Sequence, residues 1–134
     1  MELHLKTIGI LLILLSIIHV GFPKYFKWKE ELKLLSIMNR QMMYIHSFFI
    51  ALTVLLMGIL CITSASELIN TTFGRKISLG LCLFWTTRLF IQFFGYSSKN
   101  WKGKSFETSI HFVFTLFWSY LSITFLWVFL DKSF

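Results

Sequence analysis

Four long runs in this sequence carry almost no charge, and they limit the fold more than any other feature. Residues 5–22, 41–64, 77–96 and 108–130 are apolar nearly throughout, and only Lys6, at one edge, and Arg88 are formally charged within them. Each run approaches or exceeds the ~20 residues that a helix needs to cross a bilayer. A chain segment in hydrocarbon has no water to satisfy its N–H and C=O groups, so each run must be helical. The expected fold is therefore an all-α integral membrane protein, a four-transmembrane-helix bundle forming a single domain over residues 1–134.

Composition agrees with this reading. With 56% hydrophobic residues and 16 Phe in 134 positions, a soluble domain of this size has too little interior to hide its apolar surface. The first run is expected to stay as a helix of the mature protein and not to be a cleaved leader, because residues 17–22 offer no small-x-small cleavage pattern. Neither repeats nor linker-like composition divide the chain.

Between the first two runs, residues 24–35 predict a short amphipathic helix lying in the membrane interface. Tyr25, Trp28, Leu32 and Leu35 share one arc at ~3.6 residues per turn, while Lys27, Glu30 and Lys33 point elsewhere. Pro23 suits the first turn of such a helix, where its missing N–H costs nothing.

The formal charge of +7 would suggest nucleic acid in a soluble protein. Here the basic residues lie between the apolar runs and on no single face, which excludes that class and marks them as topology signals. Lys24, Lys27, Lys29, Lys33, Arg40, Lys99, Lys102 and Lys104 fall on one side, against Lys6, Arg75, Lys76 and Lys132 on the other. The excess places the first and third loops in the cytoplasm and both chain ends outside, as in a bacterial inner-membrane protein. Asn70-Thr71-Thr72 matches a glycosylation acceptor pattern on the outer side, a short match that arises readily by chance. Cys61 and Cys82 have no CxxC spacing and behave as small apolar groups.

Six polar residues inside or beside the runs are the candidate functional residues, because ionisable groups in a membrane are costly and are kept for a reason. They are His19, His46, Arg88, Gln92, Glu107 and His111. At ~1.5 Å per residue, His19, His46, Gln92 and His111 are expected within roughly 5–9 Å of the cytoplasmic boundary, with Arg88 about a turn deeper. Small and hydroxyl residues add stripes that suggest inward faces: Gly9, Ser16 and His19 on the first helix, and Asn39, His46 and Thr53 on the second. Thr108, Thr115, Ser119 and Ser122 form a further stripe on the fourth, read as helix contact.

Two cofactor readings follow. His19, His46, His111 and Glu107 supply ligand types for a single Zn or Fe ion, with Glu107 and His111 one turn apart. Alternatively, haem is held between His46 and His111, with Arg88 and Gln92 completing the site. The paired histidine motifs of di-iron oxygenases and the Glu-x-x-His of helical di-iron proteins are absent from the sequence. Against both readings stands the ordinary role of an isolated histidine, a hydrogen-bonded helix contact. Arg88, which cannot lose its proton, is expected to find an anionic partner in Glu107 or in a bound ligand.

No P-loop, GxGxxG or GxSxG is present, and the first run lacks the carboxylate on which small drug exporters rely. The function expected is that of a small polytopic membrane protein with a polar pocket in the cytoplasmic leaflet, binding a metal or haem and acting on a lipid-soluble substrate. The alternative is an accessory or anchor subunit without chemistry. Expected partners are membrane lipid, a lipid-soluble small molecule, and a second copy or a partner subunit.

Overall fold

The computed structural model describes residues 1–95, 103 and 105–130. Among these the chain is all helical, and it contains α1 (Glu2–Tyr25), α2 (Trp28–Glu31), α3 (Ile37–Thr63), α4 (Ala65–Asn70), α5 (Thr72–Phe94) and α6 (Ser105–Leu130). Four of them, α1, α3, α5 and α6, are long and apolar enough to cross a membrane. At ~1.5 Å per residue each is longer than the ~30 Å hydrocarbon core of a bilayer. Lys99, Lys102, Lys104 and Lys132, which enter the charge count, and Tyr96, the expected end of the third run, lie outside the described residues.

Local chemistry explains where the helices start and stop. The first turn of α1 holds Glu2 and its last turn holds Lys24, each placed favourably against the helix dipole. Pro23 lies inside that last turn, where it cannot donate to the His19 carbonyl. The helix ends at Tyr25, and two residues on, Lys27 has a φ of 55°, which puts a non-glycine residue in the left-handed region. This corrects the expected interfacial helix over 24–35: Pro23 prolongs α1 instead of opening a new helix, and the break at Lys27 leaves the single turn of α2. Trp28 is buried there and meets Tyr44 of α3 edge-on at 5.4 Å.

The next two long helices begin earlier than the apolar runs. Ser36 caps α3 by accepting from the Asn39 N–H at 3.2 Å, so the polar turn Asn39-Arg40-Gln41 is already helical. Thr71 caps α5 in the same way, accepting from the Gly74 N–H at 2.8 Å, while its hydroxyl donates to the Glu67 carbonyl at the end of α4. A Cβ on Gly74 would overlap the Glu67 carbonyl and lie 2.6 Å from Leu68 Cα, so only glycine permits α4 to fold back this closely.

The chain divides into two compact units, Glu2–Ala65 and a second beginning at Ser66. In the first, α1 and α3 pair antiparallel through a close approach of two glycines. A Cβ built on Gly9 would stand 2.7 Å from the Gly58 carbonyl, and one on Gly58 would stand 2.7 Å from the Gly9 carbonyl. Around this crossing Leu5, Ile8, Leu12, Leu15 and Ser16 of α1 and Ala51, Val54 and Cys61 of α3 are buried. The small-residue face of α1 is thus a packing face, as expected. On α3 the close contact with α1 is made at Gly58, with Ala51, Val54 and Cys61 buried, while Asn39, His46 and Thr53 are exposed; glycine and alanine allow closer backbone approach than a histidine stripe does.

In the second unit α5 and α6 pair antiparallel along two complementary stripes. Ser78, Leu81, Trp85 and Gln92 recur at alternating spacings of three and four, or their multiple, and are buried, as are Trp118, Ser122 and Phe125 of α6. Cross-helix contacts set the register. Cys82 Sγ lies 3.5 Å from the Ser122 carbonyl, Trp85 stacks on Trp118, and Gln92 meets His111. Arg88 is thereby level with Thr115.

Candidate functional site

The site grows out of that seam, six residues before the C-terminal end of α5 and six after the start of α6. Both Arg88 and His111 are thus ~9 Å inside their helix ends. The i, i+4 spacing of Arg88 and Gln92 stacks the two side chains on one face of α5. Arg88 Nη1 donates to Gln92 Oε1 at 3.2 Å. Its guanidinium carbon also lies 5.0 Å from the centroid of the Trp118 ring, which attracts the cation through its π face.

Gln92, only 6% exposed, has its amide orientation dictated by that arginine. A guanidinium carries donors alone, so the amide oxygen must face it. The amide nitrogen then faces α6 and meets His111 Nδ1 at 2.9 Å and the His111 carbonyl at 3.3 Å. That carbonyl also accepts from Thr115 Oγ1 at 2.8 Å. Since Gln92 can only donate here, Nδ1 accepts, and the neutral imidazole carries its proton on Nε2. The order Arg88, Gln92, His111 is a directed chain of hydrogen bonds that crosses from α5 to α6.

Aromatic rings wall the chain on its inner side. Trp85 and Trp118 stack at 5.2 Å with an interplanar angle of 10°, and Phe114 stacks on Trp118 at 5.4 Å. Both indole N–H groups are buried with no hydrogen-bond partner, as is the Ser78 hydroxyl. Along α5, next to Arg88, an open-sided groove of about 450 Å³ is lined by Gly80, Leu83, Phe84, Thr87, Arg88 and Ile91. The Thr87 hydroxyl donates to its own helix at Leu83, so apart from Arg88 the groove presents apolar surface.

Of the residues singled out from sequence, Arg88, Gln92 and His111 are brought together. Glu107, in the first turn of α6, takes no part in this chain; the contacts holding Arg88 include a neutral amide oxygen and an aromatic face. A cation–π contact at ~0.5–2 kcal/mol and a charge-assisted hydrogen bond at ~1.5–3 kcal/mol both stabilise the guanidinium in this position.

The other two histidines belong to the first unit. His19 bonds through Nδ1 to the Leu15 carbonyl at 2.9 Å and lies 4.7 Å from the Phe22 ring. His46 is exposed on α3. Among the described residues no group of three or more His, Cys, Asp and Glu is gathered as metal ligands would be.

Trp118 and Trp85 are the site residues that sequence reasoning missed. The signal was present in their spacing, with Trp118 two turns after His111 and Trp85 one turn before Arg88.

The sequence matches no protein-family model, and neither a curated protein nor a solved structure is significantly similar to it. Function therefore has to be argued from the geometry alone.

Proposed function

We propose that this chain is an integral protein of a bacterial inner membrane that crosses the bilayer four times. In this reading the first and third loops are cytoplasmic, both ends are outside, and the cluster around Arg88 binds the anionic group of a lipid-soluble ligand within the cytoplasmic leaflet. The observation that carries the proposal is the fixed chain from Arg88 through Gln92 to His111. It holds a permanent cation, half-buried, beside an apolar groove at headgroup-to-acyl depth.

The cluster suits binding better than covalent chemistry. Arg88 supplies a charge and planar donors, the geometry that recognises carboxylate or phosphate. The hydrogen-bonded form of His111, with Nδ1 engaged by Gln92 and the proton on Nε2, has no lone pair on Nε2 to attack a substrate or to give a metal or haem iron. The metal and haem readings thus draw no support from this arrangement.

The test is extraction of lipids that co-purify with wild-type protein and with Arg88→Gln in the same mild detergent. An anionic amphiphile retained by wild type and lost from a folded Arg88→Gln protein is the expected result. Equal retention by both would leave the accessory or anchor-subunit reading as the better one.

A further inference from the structure

The connection between α1 and α3 carries more cations than the chain can neutralise. Residues 24–40 hold Lys24, Lys27, Lys29, Lys33 and Arg40 against Glu30 and Glu31. Among the described residues none of these five cations forms an ion pair, even with the two neighbouring carboxylates. Backbone bonds from Lys27 to Lys24, Glu31 to Lys27 and Lys33 to Glu30 keep the stretch compact. Trp28, buried, meets the Tyr44 ring at 5.4 Å. Tyr44 is ~10 Å from the first residue of α3, so this contact draws the connection back alongside the helix instead of letting it stand off into water.

We propose that residues 24–40 bind the headgroups of anionic phospholipids in the leaflet where α1 ends and α3 begins. The inference rests on the four-span reading and is independent of the cluster around Arg88. Charge carries it first. The remaining carboxylates of the chain are Glu2, Glu67, Glu107 and Asp131, and of these only Glu107 falls on this side in the proposed topology, together with Lys99, Lys102 and Lys104. Wherever the second unit sits, it brings more cations than carboxylates, so the neutralising anions must come from outside the chain. Clusters of Lys and Arg beside a membrane-spanning helix collect anionic headgroups in this way. Apolar side chains within the same stretch then select a lipid over a soluble polyanion. Phe26, Leu34 and Leu35 are exposed, Leu34 to 99%, and are not taken up by their own unit. A soluble acidic partner would match the charge and leave these side chains in water, whereas the headgroup boundary receives them while the lysine stems reach up to the phosphates.

The experiment reconstitutes the full-length protein in phosphatidylcholine vesicles and compares how strongly it immobilises spin-labelled phosphatidylglycerol and spin-labelled phosphatidylcholine. Wild type should prefer phosphatidylglycerol by about fivefold at low salt. The preference should shrink at about 1 M salt, where the screening length falls to ~3 Å. Joint replacement by Lys24→Gln, Lys27→Gln, Lys29→Gln and Lys33→Gln should bring it below about twofold. Glu30→Gln with Glu31→Gln keeps every cation and should raise it, and serves as the second variant should the lysine variant not fold or insert.

A preference that survives loss of the four lysines, or that ignores removal of the two carboxylates, would put the headgroup site elsewhere and overturn the inference. Wild type seated in the vesicles with equal affinity for both lipids would overturn it and leave the four-span reading standing. Protein that stays outside the bilayer would sink both.

Discussion

Gln92 gives its amide oxygen to Arg88, so it can approach His111 only as a donor, and the 2.9 Å contact between Gln92 Nε2 and His111 Nδ1 fixes which imidazole nitrogen carries the proton. One side chain thereby transmits the arginine's chemistry from α5 to α6 without moving a charge. The proton position is directly observable. In ¹⁵N-imidazole-labelled protein, the neutral form of His111 should be the Nε2–H tautomer, and Gln92→Leu should release it to a mixture. An Nδ1–H signal in wild type would refute the directed chain.

Removing the bridge should also cost stability. Gln92→Leu leaves a guanidinium without one acceptor and a carbonyl without one donor, for an expected loss of ~1–3 kcal/mol. Gln92→Glu supplies a carboxylate to Arg88 and should keep the hairpin folded. It should nevertheless weaken binding of anionic amphiphiles, because the new carboxylate competes with them for the guanidinium. Thermal unfolding in detergent, read beside ligand retention, separates the two effects.

The glycines should divide sharply. Gly58→Ala places a methyl 2.7 Å from the Gly9 carbonyl, and overpacking of this kind costs ~1–3 kcal/mol. Gly80→Ala meets open space and should leave stability unchanged or raise it by up to ~1 kcal/mol. Comparable losses in melting temperature for both variants would contradict the helix contacts described above.

Optical spectroscopy tests the histidines. A haem ligated through His111 Nε2 requires the proton on Nδ1, which would face the Gln92 amide nitrogen, donor against donor. Purified protein should therefore show no Soret band that depends on His111. A band lost in His111→Ala would mean that Gln92 and Arg88 rearrange on cofactor binding.

Topology can be checked by cysteine labelling in a background where Cys61 and Cys82, both buried, are replaced by alanine. Lys33→Cys should react only from the cytoplasmic side and Ser66→Cys only from the outer side. The reverse pattern would invert the protein in the membrane.

The four long apolar helices were legible because a run of apolar residues has no other stable state in lipid. Their starts were not, since Ser36 and Thr71 draw polar turns into α3 and α5 through side-chain caps that hydropathy does not register. The segment around α2 was misread for a related reason. Amphipathic spacing says where side chains would point in a helix, but Pro23 and the left-handed Lys27 decide whether the helix exists.

At the site, Arg88 and Gln92 were visible as an i, i+4 pair and His111 as a polar residue at similar depth. His46 has a similar expected depth but belongs to the first unit, where it is exposed on α3. Depth along a helix follows from counting residues, while the face depends on which neighbours pack, and on α3 that was settled by Gly58 and Ala51. Trp118 went unnoticed because an indole offers little contrast in a chain with 16 Phe and 5 Trp.

The stacking of Trp118 beneath Arg88 bears on biosynthesis. In the proposed topology α5 enters the bilayer before α6 is made, and its arginine then has Gln92 for company but lacks the aromatic face of Trp118. The ribosome must synthesise α6 through Trp118 before the charge gains that face. The unit that can leave the insertion machinery at low cost is accordingly the α5–α6 pair, and a nascent chain truncated before Trp118 should linger there.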